Sequence, residues 1–171
     1  MEISVFKNFN EVIAQKSLDE ILEIIKGGFF KNQIENLHTC LEKNGSEAYN
    51  KEKKILPAFT PCGSFEGGRK TEFLKKYNKL IILDIDKLKS DQLDVIKEKA
   101  RQCSYTYCCF VSPSGLGLKI LVKVRSKLEN HKQAFNILKF YYEGLLGVDI
   151  DPSGKDVTRL CFFSYDPDLY L

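Results

Sequence analysis

The second half of the chain alternates apolar and polar positions in a regular order. KLIILDID (79–86) is a continuous aliphatic run of strand length, and SDQLDVIKEKARQ (90–102) returns to apolar positions at helical spacing. SYTYCCFV (104–111) is a second strand, SPSG (112–115) a turn, and LGLKILVKV (116–124) a third strand. In that third strand Leu118, Ile120, Val122 and Val124 face one way, and Lys119, Leu121, Lys123 and Arg125 the other. LENHKQAFNILKFYYEGLL (128–146) reads as a helix and TRLCFFSY (158–165) as a closing strand. The order βαββαβ predicts an α+β fold with an RRM/ferredoxin-like unit, in which a four-stranded antiparallel sheet carries both helices on one face.

The first half is patterned differently. EISVFKN predicts a short strand, and Ser17 and Glu20 have capping-box spacing at the start of SLDEILEIIKGG, which Gly27 ends. KNQIENLHTCLEKNG is helical again, with Ile34, Leu37 and Leu41 on one face. ILPAFTPCGSFEGGRKTEF (55–73) reads as a long irregular connection. Residues 1–78 are therefore expected to form a smaller, mainly helical lobe with a basic connecting loop, and residues 79–171 the RRM-like unit. Together they make one compact catalytic-type domain, in keeping with 171 residues and 43% hydrophobic content.

Composition narrows the function classes. No apolar run approaches the ~20 residues of a membrane span, and the N-terminus lacks the basic-then-apolar order of a signal peptide. A cytoplasmic protein without membrane attachment is expected. The six cysteines contain no C-x-x-C pair and only two histidines accompany them, which argues against structural zinc. The net charge is only +3, but residues 51–79 hold eight Lys or Arg against three acids. Within that segment Lys53, Lys54, Arg69, Lys70, Lys75 and Lys76 are candidate phosphate-backbone contacts for single-stranded or template DNA.

Candidate chemistry gathers at the strand ends. Asp84 and Asp86, at i and i+2, share one face of a strand. Two carboxylates so close repel each other, and a hard dication such as Mg²⁺ or Mn²⁺ turns that repulsion into attraction. In an RRM-like topology the end of the first strand lies near the SPSG turn and near the start of the fourth strand. DID, SPSGLGLK and DIDPSGKD are thus expected to converge. Ser112, Ser114, the amides around Gly115 and Gly117, and Lys119 form a candidate triphosphate nest. Asp151, or Asp149 in an alternative register, is the candidate third metal ligand. Arg159 is placed to neutralise phosphate charge or, equally on spacing, to pair with Asp156 or Asp166.

These residues carry a resemblance. LPAFTPCGSFEGGR, LIILDID, SPSGLGLKILV and DIDPSGKDVTRLCFFSYDP resemble the N-terminal domain of VirE-type proteins of mobile elements, the BT4734-like family, over roughly residues 55–168. That family is similar to the primase-polymerase superfamily, with its D-x-D metal motif, S-x-H nucleotide motif and later hydrophobic-Asp motif. Asp84 and Asp86 match the first and Ile150-Asp151 the third, with Val148-Asp149 as the alternative. The second departs: Lys119 stands where histidine is common. The resemblance implies a DNA-replication nucleotidyltransferase that uses a nucleoside triphosphate and two divalent metals held by Asp84, Asp86 and Asp151, and it leaves room for a helicase-like domain in a longer natural chain. The alternative is a catalytically inactive nucleic-acid-binding module on the same RRM-like fold. A phosphatase reading of D-x-D is disfavoured by Lys87-Leu88 in place of a Gly-Thr type turn.

Overall fold

The computed structural model describes residues 1–171. The chain opens with a hairpin of β1 (Glu2–Phe6) and β2 (Val12–Ser17), and the second of these strands was not anticipated from the sequence. Helix α1 (Leu18–Lys26) starts as expected. The Ser17 hydroxyl accepts from the Glu20 amide at 3.2 Å, and the Glu20 carboxylate accepts from the Ser17 amide at 2.7 Å. Leu18, Ile21, Leu22 and Ile25 form its buried stripe. Helix α2 (Lys31–Lys53) buries Ile34 and Leu37, then breaks at Gly45, whose φ of 78° no other residue adopts cheaply.

The stretch read as an irregular connection holds two short strands, β3 (Ala58–Thr60) and β4 (Gly63–Phe65), and a third, β5 (Leu74–Tyr77), follows it directly. The N-terminal part is thus mixed α and β. Strands of three or four residues are too short to show usable alternation, and β3 takes its pairing from the tertiary structure, lying against β1.

Strand β6 (Leu80–Ile85) is followed by α3 (Ser90–Gln102), β7 (Thr106–Val111), β8 (Leu118–Lys123), α4 (His131–Leu146) and β9 (Cys161–Phe162). The sheet order is β6-β8-β7, antiparallel throughout, with β7 and β8 forming a hairpin. Ile81, Leu83 and Ile85 pack with Leu118, Ile120 and Val122 against Ile96 and Ala100 of α3 and Phe135 and Tyr142 of α4.

The expected fourth strand does not join this sheet. β9 pairs instead with β3, Ala58 opposite Phe162 and Phe59 opposite Cys161, extending the order to β2-β1-β3-β9. Packing accounts for the exchange: Phe163 is buried with its ring 5.1 Å from Phe59 and 5.0 Å from Phe30. Along the free edge of β6 lies a short 3-10 turn, Pro152–Lys155, and the Asp151 amide donates to the Asp84 carbonyl at 2.8 Å. The second face of the sheet is also not fully open. Leu80, Ile82, Cys108, Phe110 and Leu121 join Ile3, Ile21 and Phe59 in one core that crosses residue 78. Only the Asp84 end of β6 emerges from it.

All six cysteines are free thiols and five are buried. Burial pushes the Cys62 and Cys161 thiols up to about 12, so they behave as small apolar fillers. No helix is long and apolar enough to cross a membrane.

Candidate active site

The period of two in β6 decides which side chains reach the site. Leu80 and Ile82 are buried against the N-terminal part, so Asp84 and Asp86 follow them onto that face, where cover gives way to a cleft of about 640 Å³. The β6–β8 register sets Asp84 directly opposite Lys119. Their side chains form an ion pair, 3% and 11% exposed. Asp151 caps the 3-10 turn on the free edge of β6 and accepts from the Ser153 amide at 2.9 Å and the Ser153 hydroxyl at 2.6 Å. Carboxylate oxygens of Asp84, Asp86 and Asp151 all lie within 4.8 Å of one another, and Asp149 is not part of the cluster.

Arg159 binds two members of that cluster, Asp84 at 3.1 Å and Asp151 at 2.8 Å. The sequence alternatives for it, Asp156 and Asp166, are engaged elsewhere. Asp156 accepts from the Thr158 amide and hydroxyl, each at 2.9 Å, in the turn that presents Arg159, while Asp166 pairs with buried Lys97 at 2.7 Å.

The electrostatics are uneven. Asp86 has no ion-pair partner and stays solvent-exposed overall, but partial loss of hydration of its carboxyl in the cleft together with the Asp84 charge holds it above the ordinary range, with Lys119 only partly offsetting them. Partial burial also pushes Asp151 upward, but the Ser153 bonds and the Arg159 and Lys119 charges outweigh it, and its carboxyl lies below the ordinary range. Asp84 Oδ1 is buried with no hydrogen-bond partner. A buried carboxylate oxygen left unpaired is costly, and a hard dication is one ligand that would remove the cost. Three carboxylates at this spacing, one with an orphaned oxygen, fit Mg²⁺ or Mn²⁺ with oxygen ligands at about 2.0–2.1 Å.

The SPSG turn reaches the same cleft. The Ser112 and Ser114 hydroxyls lie 3.1 Å apart and line it, the Gly115 amide donates to the Ser112 carbonyl, and the Ser112 amide to the Gly117 carbonyl. A Cβ on Gly117 would sit 2.4 Å from the Ile85 carbonyl oxygen, so only glycine lets this turn press against the end of β6. His38 of α2 supports the turn from behind, its Nε2 3.1 Å from the Pro113 carbonyl oxygen.

The six basic candidates separate. Lys53 and Arg69 line the cleft. Arg69 acts partly as a clamp, its Nε donating to the Phe9 carbonyl at 2.7 Å and its Nη1 to the Thr158 carbonyl at 2.8 Å. Lys54 and Lys76 are exposed and outside the cleft, while Lys70 pairs with Glu72 at 3.8 Å and Lys75 with Glu66 at 2.5 Å on the surface.

Residues 51–171 match the BT4734-like N-terminal domain family. The chain belongs to that family. The match covers the strands and turns that carry Asp84, Asp86, Asp151, Ser112, Ser114, Lys119 and Arg159, and the family is the one its motifs resemble. Neither the comparison with characterised proteins nor that with solved structures gives a match.

Part of this BT4734-like site was not foreseen. Ser46, Tyr49 and Asn50, none of them a candidate from the sequence, form one cleft wall together with Lys53 from the segment of α2 beyond Gly45. Their spacing of i, i+3, i+4 and i+7 was visible as a helical stripe, but a polar stripe carries no burial signal. Phe9 and Phe162, with ring centroids 6.3 Å apart, close one end, and no local pattern linked two residues so distant in sequence.

Proposed function

We propose that this BT4734-like domain is a primase-polymerase-like nucleotidyltransferase that extends or primes a DNA strand from a nucleoside triphosphate. The carrying observation is the Asp84, Asp86 and Asp151 cluster, within 4.8 Å and with Asp84 Oδ1 unpartnered, of which Asp84 and Asp86 line a cleft large enough for a nucleotide. The three-stranded sheet with α3 and α4 is read here as an RRM-like unit whose fourth-strand position is taken by the Asp151 turn. Two divalent ions, Mg²⁺ or Mn²⁺, would be held by Asp84, Asp86 and Asp151 and would supply charge stabilisation to a phosphoryl transfer.

The chain's own groups do the rest. Lys119 and Arg159 offer positive charge beside the α-phosphate position, and both are already fixed by Asp84, so they need little reorganisation as charge develops. Ser112 and Ser114 offer hydroxyl donors to phosphate oxygens. In the transfer, the strand's 3′-oxygen forms a bond to the α-phosphorus. The bond from that phosphorus to its bridging oxygen breaks, pyrophosphate leaves with the electron pair, and the hydroxyl proton passes to solvent. Exposed Lys54 and Lys76, with Lys70 and Lys75, would follow template phosphates.

Incubating the protein with a primed and an unprimed DNA template, nucleoside triphosphates and Mn²⁺ tests the reading. Product is expected from the wild type and lost in Asp84→Asn, Asp86→Asn and Asp151→Asn. One observation favours the catalytically inactive nucleic-acid-binding alternative: Lys119 and Arg159 neutralise the Asp84 charge through Oδ2 without any metal. Salt-sensitive DNA binding with no incorporation and no effect of Mn²⁺ would establish that alternative.

A further inference from the structure

Lys53 stands on the α2 wall of the cleft, across from the carboxylate cluster. Its Nζ lies 5.2 Å from the centre of the Tyr49 ring and 5.6 Å from that of Phe162, so the ammonium is held between two aromatic faces. The side chain is half-buried and forms no ion pair. The other lining cations differ: Lys119 and Arg159 are both bound to Asp84, Arg69 donates to backbone carbonyls, and Lys87 is exposed to solvent. Partial burial, with the nearby Lys119 charge, holds the Lys53 ammonium below its ordinary range, the Asp86 and Asp84 carboxylates only partly offsetting them. A cation fixed in a partly dehydrated cleft with no ion-pair partner, met only by the more distant Asp86 and Asp84 charges, is costly, and an anion arriving between the walls reduces the cost.

Position indicates which anion. An α-phosphate that reacts at Asp84, Asp86 and Asp151 lies beside Lys119 and Arg159. Phosphates extending away from it into the cleft have the α2 wall, with Lys53, as a lining surface. We infer that Lys53 binds the outer phosphates of the nucleoside triphosphate, so that the α2 segment is a substrate wall and this lysine is not part of the template path. The inference rests on the nucleotidyltransferase reading above, and it makes the length of the phosphate chain a specificity determinant.

Calorimetry in Mn²⁺ with inorganic tripolyphosphate, inorganic phosphate, a nucleoside triphosphate and single-stranded DNA tests it. Lys53→Met keeps the apolar stem against Tyr49 and Phe162, and Lys53→Arg keeps the charge. The Met variant is expected to bind tripolyphosphate and the nucleoside triphosphate at least tenfold more weakly. Its affinity for inorganic phosphate and for DNA should change less than twofold, and the Arg variant should recover most of the loss. Urea unfolding of both variants separates a binding loss from a folding loss. Equal losses for phosphate and tripolyphosphate, a loss confined to DNA, or no loss at all would overturn the assignment while leaving the nucleotidyltransferase reading intact. A wild type that binds neither triphosphate overturns both.

Discussion

Lys119→Met removes one half of the ion pair at the centre of the site. Asp84 is 3% exposed and Lys119 11%, so water cannot replace the lost ammonium. Removing one partner of a buried pair costs about 3–5 kcal/mol. Arg159 remains 3.1 Å from the same oxygen, which places the expected loss at the lower end, roughly 2–3 kcal/mol. For a chain of this length that is a fall in Tm of about 4–12 °C. Urea unfolding, followed by circular dichroism and by tyrosine fluorescence, measures it. Asp84→Asn combined with Lys119→Met should lose less than the sum of the two single changes, because neither charge is then left unmatched. Mn²⁺ should stabilise Lys119→Met more than the wild type, since a dication meets a carboxylate no longer satisfied by lysine. A loss below about 1 kcal/mol, or strictly additive single and double variants, would refute the ion-pair reasoning. Failure of Mn²⁺ to stabilise either protein would refute the metal reading alone.

Asp86→Asn should stabilise the metal-free protein, by about 1 kcal/mol once solvent screening at this exposed group is allowed for. The sign follows from its raised carboxyl: the unfolded chain loses the Asp86 proton first, so wild-type stability falls as pH rises from the ordinary 3.8 through the higher folded value. The Tm advantage of Asp86→Asn should therefore be absent below that window and full above it, and a gain that stayed constant with pH would contradict the assignment. Arg159→Ala should lower turnover in strand extension more than it weakens nucleotide binding, and equal effects on kcat and KM would place it outside the reaction centre. If three of Lys54, Lys70, Lys75 and Lys76 touch phosphates, single-stranded DNA affinity should fall with a log–log salt slope of roughly −2. Reversing Lys54 and Lys76 to glutamate should flatten that slope for every sequence, and a loss for one sequence only would show base recognition instead.

How much was legible in the sequence depended on the range of the interaction involved. The Ser17 capping box, the aliphatic run of β6, the face-by-face alternation of β8 and the D-x-D pair are written in residues a few positions apart, and local sterics and burial suffice to read them. The BT4734-like motifs are equally local, so the family was legible from them. The destination of Cys161–Phe162 was not. A strand pattern states that a segment pairs, not with which edge, and the pockets around Phe30 and Phe59 drew it to β3 and away from β6. That exchange left the edge of β6 to the Asp151 turn, which resolved Asp151 over Asp149 and turned Arg159 onto Asp84 and Asp151. Lys53 looked like one more surface lysine in a basic run. Only the break at Gly45, the two rings beneath its ammonium and a cleft shared by segments more than a hundred residues apart made it a distinct charge, because a side chain's electrostatic surroundings are fixed by neighbours in space.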